Sequence, residues 1–85
     1  MNTVCIIGIL KEVVDDYNRF FEYQVPYEVE NETLTPRIIV RNWTGQPKSR
    51  LIILPLNTRV ALHAHLELTE KFGTILLVEQ LEVLR

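Results

Sequence analysis

Cysteine is nearly absent from this chain: Cys5 is the only one, so no disulfide can staple the fold from within. Long hydrophobic runs are absent too, and nothing approaches the roughly 18 apolar residues of a membrane-spanning helix. The opening Met1-Asn2-Thr3-Val4 lacks a basic segment followed by a long apolar one, so a secretory signal is not expected. A lone thiol without an export signal fits a reducing, cytoplasmic setting. Charge of one sign is lacking as well. A net charge of −2 and a pI near 5.6 exclude coating of nucleic acid by bulk positive charge, so any such binding must come from a local patch.

Catalytic sets are missing. No Ser/His/Asp arrangement, glycine-rich phosphate loop or pair of catalytic carboxylates can be assembled, and no enzyme is expected. Cys5, His63 and His65 have no zinc-finger spacing. His63 and His65 lie two apart on one strand face, but without a third ligand they read as exposed or interface histidines. No metal or other cofactor is expected.

What is present is a hydrophobic fraction of 47% in 85 residues, enough for one small globular domain spanning residues 1–85. A core of this size is often reinforced by a disulfide, a metal or self-association, and the last is the expected route here.

Val4-Cys5-Ile6-Ile7-Gly8-Ile9-Leu10 is apolar on both faces and reads as a strand covered on both sides. Val4, Ile6, Ile7 and Ile9 are therefore the candidate self-association surface, and Cys5 is expected to be a small buried hydrophobe. Gly8 signals a bend, a bulge or the close approach of another backbone. Lys11 to Asn18 reads as a polar turn. Arg19 to Val29 alternates, with Phe21, Tyr23, Val25 and Tyr27 on one face and Phe20, Glu22, Gln24 and Glu28 on the other, and Pro26 implies an edge or bulge.

The third strand, Arg37 to Trp43, is the candidate binding element. Alternation turns Ile38 and Val40 to a core and places Arg37, Ile39, Arg41 and Trp43 on the opposite face. Two guanidinium groups beside an indole suit a phosphate backbone with a base stacked between its charges. The plainer reading of the same strand is a pair of snorkelling arginines and a tryptophan anchoring a core edge. Phe20 and Phe72, with Tyr17, are possible second stacking platforms, though a protein interface would use exposed aromatics equally well. Lys48, Arg50 and Arg59 extend the cationic track or are simply solvated charges. Glu22 and Glu28 would repel phosphate.

Thr44-Gly45-Gln46-Pro47 reads as a helix entry, with Thr44 or Gln46 near the cap and Pro47 in the first turn. Leu51, Leu54 and Ile52 face the core of a short helix ended by Pro55, although Leu51–Leu54 would also fit a strand. Val60, Leu62, Ala64 and Leu66 point inward from the next strand, with His63 and His65 outward. Glu70-Lys71-Phe72-Gly73 is a tight turn with Gly73 at the position needing positive φ. Thr74 to Leu84 is the last strand. Five strands with one helix between the third and fourth give an all-β, Greek-key OB-fold barrel.

The opening Met1-Asn2-Thr3-Val4-Cys5-Ile6-Ile7-Gly8-Ile9-Leu10 resembles the first strand, M-N-x-V-x-L-x-G-x-L, of the bacterial single-stranded-DNA-binding proteins and the related primosomal replication protein N. Phe21–Val25, Ile38–Trp43, Val60–Leu66 and Val78–Leu84 resemble later strands of that family. The resemblance implies a cytoplasmic homodimer or homotetramer, paired through its first strand. It also implies binding of single-stranded DNA, or RNA, with little sequence preference in replication, recombination or repair. Thr35-Pro36-Arg37-Ile38 replaces the family's E-W-H-R, which removes one stacking aromatic. Ala64 stands in place of a glycine, and Asn57 in place of another, where a left-handed backbone is tolerated. The family's acidic-ended partner-recruiting tail has no counterpart after Leu84-Arg85. These departures leave open a different class of function, an OB-fold assembly subunit without nucleic-acid binding.

Overall fold

In the computed structural model, which describes residues 3–23 and 36–85, the strands close into a barrel. The described elements are β1 (Thr3–Val13), β2 (Asn18–Tyr23), β3 (Arg37–Asn42), α1 (Arg50–Ile53), β4 (Arg59–Thr69) and β5 (Gly73–Val83). Their order around the wall is β1-β2-β3-β5-β4, with β4 returning to β1. All pairings are antiparallel except β3 with β5, where Val40, Arg41 and Asn42 run beside Leu76, Leu77 and Val78. This is the five-stranded, single-helix arrangement expected of the chain. Expectations that fall on residues 24–35, including Val25, Pro26, Tyr27 and Glu28, lie outside the described residues.

Alternation builds the interior. Leu10, Phe21, Val40, Val60, Leu62, Ala64, Leu76 and Val78 contribute from the strands, and Leu51 from α1, to one buried cluster. Gly8 is required where β1 crosses β2. A Cβ there would strike the Glu22 carbonyl oxygen and the Phe21 ring, so the close backbone approach read from the sequence is real. Gly73 and Asn57 both take positive φ, 68° and 69°, as their places after strand and helix demand.

Arg19 was given no role by its sequence, yet it closes one end of the barrel. It is 2% exposed, and its guanidinium donates to the carbonyl oxygens of Lys11 (2.7 Å), Leu51 (3.2 Å), Ile52 (3.2 Å), Leu54 (2.6 Å) and Pro55 (3.2 Å). A one-turn helix leaves its C-terminal carbonyls unbonded, and this buried cation satisfies them while gaining from their dipoles. Burial lowers the Arg19 pKa from its ordinary value. At the opposite end Val4, Ile6, Tyr23, Ile38, Leu66 and Leu76 line an apolar cavity of about 230 Å³.

Several sequence expectations need correction. β1 runs through to Val13, with a register shift between Leu10 and Val13, so the polar turn shrinks to the residues before Asn18. The helix is capped at Ser49, not at Thr44 or Gln46, and Pro47 lies ahead of it. The reason is Lys48, whose backbone takes a φ of 51° and whose N–H donates to the Asp16 carbonyl at 2.8 Å, holding the chain out of the helix until Ser49. Leu66 belongs to the inward row but sits at the barrel's mouth and stays 39% exposed. Cys5 is exposed, because the odd-numbered positions of β1 face outward.

Candidate nucleic-acid interface

The β2–β3 register assembles the candidate face. Glu22 pairs with Arg37, Phe20 with Ile39, and Asn18 with Arg41, so these six side chains form three rungs on the outer side of the barrel. Arg37 and Arg41 therefore share one side. Trp43 follows directly after β3, its backbone N–H donates to the Val78 carbonyl at 3.1 Å, and the residue is 59% exposed.

The two arginines differ in what holds them. Arg37 Nη1 reaches Glu12 Oε2 at 3.0 Å and its Nε reaches Glu22 Oε2 at 3.1 Å, so two carboxylates flank one cation. The Glu12 carboxyl is held below its ordinary pKa first by its own backbone N–H, with Arg37 and Lys11 adding to the pull. Arg41 Nε instead donates to the neutral Asn18 Oδ1 at 2.8 Å, which orients the guanidinium and leaves its charge uncompensated at that contact. Asn18 is itself fixed. Its amide donates to both oxygens of Asp15 at 2.9 and 3.0 Å, and Asp15 also accepts the backbone N–H groups of Tyr17 and Asn18 at 2.8 Å each. The Asn18 side chain, followed by those backbone donors and Lys71, lowers the Asp15 pKa.

The β4–β5 turn carries Lys71 and Phe72. Phe72 on that turn is half-buried rather than a bare tip, with Lys71 Nζ 5.2 Å from its ring centroid. Phe20 is likewise half-buried, and Ile39, expected on the solvated face, is only 6% exposed. Tyr17 is 43% exposed.

The remaining cations divide. Lys48 and Arg50 are exposed on the segment that follows Trp43, and Arg50 lines a cavity of about 170 Å³ with Asn42, Leu51, Val78, Glu79, Gln80 and Leu81. Arg59 lies elsewhere. It pairs with Ile9 across β1 and lines a cavity with Ile7, Gly8, Glu22 and Tyr23, so it does not extend the Trp43 track. None of Lys48, Arg50 and Arg59 forms an ion pair among the described residues.

The self-association residues also divide. Val4 and Ile6 turn inward against the core, whereas Ile7 is 52% exposed on the outer side and Ile9 is half-buried there. The strand is covered on one face by its own barrel, which removes Val4 and Ile6 from any surface role. His63 and His65 both face outward, and His65 Nδ1 lies 2.8 Å from Glu79 Oε1.

No group of three or more potential metal ligands occurs among the described residues, and no helix among them is long and apolar enough to cross a membrane. Neither a protein-family model nor a curated protein matches the chain.

Proposed function

We propose that this OB-fold binds single-stranded nucleic acid with little sequence preference, as its resemblance to the bacterial single-stranded-DNA-binding proteins suggests. The observation that carries the reading is Trp43, 59% exposed immediately beyond the strand that bears Arg41. A base stacked on the indole contributes about 1–3 kcal/mol. Arg41, oriented by Asn18, takes the adjoining phosphate, with Lys48 and Arg50 following along the β3–α1 segment. Phe72 and Phe20 offer partial second platforms. DNA in replication, recombination or repair is the ligand implied, with RNA as the alternative, in a cytoplasmic homodimer or homotetramer joined through the outer side of β1, where Ile7 and Ile9 lie.

A second reading has its own support. Arg37 is held between Glu12 and Glu22, a distribution better suited to a stable surface than to a phosphate contact. An OB-fold assembly subunit that contacts only protein would use the same barrel.

Anisotropy of a labelled, unstructured oligonucleotide separates the two. Binding of single strands at low salt is expected to weaken as salt rises, and Arg41→Gln to weaken it across all sequences and to flatten the log–log salt slope by about 0.7. An Arg41→Gln protein that binds as the parent does, with the same slope, would count against the first reading. Absence of binding at micromolar protein would favour the second.

A further inference from the structure

The β4–β5 ladder carries an irregularity that stacking on Trp43 does not require. Gln80 stands opposite His63 and Val78 opposite Ala64, so Glu79 is an extra residue without a ladder partner, a β-bulge. The bulge interrupts the alternation of β5: Val78 is buried, and the Glu79 and Gln80 that follow it are both exposed. Both line the cavity of about 170 Å³, together with Asn42 and Arg50 and the buried Leu51 and Val78. Trp43 adjoins this cavity, since Asn42 precedes it and the Val78 carbonyl accepts its backbone N–H at 3.1 Å. Arg50 and Glu79 share the cavity without forming an ion pair. A guanidinium and a carboxylate kept apart in this way suit a ligand with acceptors at one end and donors at the other. His65 Nδ1, 2.8 Å from Glu79 Oε1, steadies the carboxylate and occupies one of its roughly four lone-pair sites.

We propose that this cavity takes one guanine base of the bound strand and so gives binding a base preference at a single position. The pocket presupposes the strand proposed above on Trp43. Guanine alone among the common bases presents two adjacent donors, N1–H and N2–H, for one carboxylate, with O6 and N7 as acceptors for one guanidinium. Thymine and uracil offer a single N–H between two carbonyl oxygens. Adenine and cytosine set a ring lone pair beside the amino group. Each of these turns an acceptor towards Glu79, whereas guanine does not. Arg50 then reads O6 and N7 in place of a phosphate, and Lys48 keeps the backbone. An apolar cavity of about 150 Å³ is enough for benzene, so one base, partly left in solvent, is the most that this pocket holds.

Anisotropy with thymidine strands of about eight nucleotides, plain or with one central guanine, hypoxanthine, adenine or cytosine, tests the pocket. The guanine strand should bind at least about fivefold tighter than the plain, adenine and cytosine strands. Hypoxanthine lacks only the N2 amino group and should lose most of that gain. In Glu79→Ala the guanine and hypoxanthine strands should bind alike, and in Arg50→Ala the guanine advantage should fall to about twofold or less. Both residues are exposed, so circular dichroism of the variants should match the parent, and the hypoxanthine comparison needs no variant. Equal affinity for every strand would overturn the guanine pocket and leave the stacking reading intact. A guanine preference that survived hypoxanthine or Glu79→Ala would overturn the pocket as well. So would free guanosine monophosphate that displaced the strand at comparable concentration, since the ligand would then be a nucleotide and not a strand. Absence of binding to every strand at micromolar protein would overturn the pocket and the stacking reading together.

Discussion

The outer face shared by β2 and β3 and the outer face shared by β1 and β4 arise from the same two-residue alternation and carry opposite chemistry. On the first, Glu12, Glu22, Arg37, Arg41, Asn18 and Asp15 are tied into ion pairs and a hydrogen-bonded chain, with Trp43 left open beyond them. On the second, Cys5 with His63 and Ile7 with Ala61 form two uncharged rungs, flanked by Arg59 opposite Ile9, by Glu82 beside Ala61 and by the His65–Glu79 pair. A face of oriented charges remains useful in water, where a polyanion can be met without dehydrating an apolar surface. A face of apolar and soft-donor side chains gains only when covered. The proposed function accordingly places ligand on the first side and self-contact on the second.

Removing the indole should produce the largest change. Trp43→Ala is expected to weaken oligonucleotide binding about tenfold to a hundredfold, matching the loss of one stacked base, with self-association untouched. Ile7→Glu is the reciprocal change. It should weaken the dimer at least tenfold by light scattering and leave the affinity per chain for a short oligonucleotide within about twofold, since a rung away from Trp43 is altered. If either substitution moved both properties together, the division between faces would be wrong.

A third substitution sharpens the contrast within the first face. Glu12→Gln with Glu22→Gln frees Arg37 from its two carboxylates. Affinity should rise severalfold at low salt, with the salt dependence steepened by about one further phosphate contact. No change would mean that Arg37 lies off the path of the strand.

How far these features could be read in advance follows from their range. Strand identity, the inward rows of β3 and β4, and the positive φ at Gly73 depend on neighbours within a few residues, and local pattern carried them, whereas the left-handed backbone at Asn57 came from the resemblance. The shared outward side of Arg37 and Arg41 was also legible, because period two fixes it within the strand, whereas Trp43 lies beyond the strand's end. Neutralisation of Arg37 was not, since Glu12, Glu22 and Arg37 meet only once three strands are in register. Arg19 was invisible for a related reason: its partners are backbone carbonyls up to 36 positions away, which no side-chain pattern marks. The barrel covers Val4 and Ile6 on the inner side of β1, and the apolarity of the outward row, Cys5, Ile7 and Ile9, does not identify what meets it.

The smallest expected effect concerns Asp15, which holds Asn18 and, through it, Arg41. Its folded pKa lies below the ordinary carboxylate value, so its stabilising contribution is complete above that value and is lost as pH falls through the folded pKa. Asp15→Ala should cost about 1 kcal/mol near neutral pH in urea unfolding, and the gap to the parent should close in acid. A gap that persisted below the folded pKa would separate the effect from Asp15 ionisation.

Trp43 is the sole tryptophan, so its fluorescence reports the candidate face directly. The decisive measurement is titration of that emission with an unstructured single-stranded oligonucleotide, at low and then at raised salt. Saturable quenching that shifts to higher concentration as salt increases is the predicted result. Emission that stays unchanged at micromolar protein and excess oligonucleotide would contradict a nucleic-acid-binding face on β3.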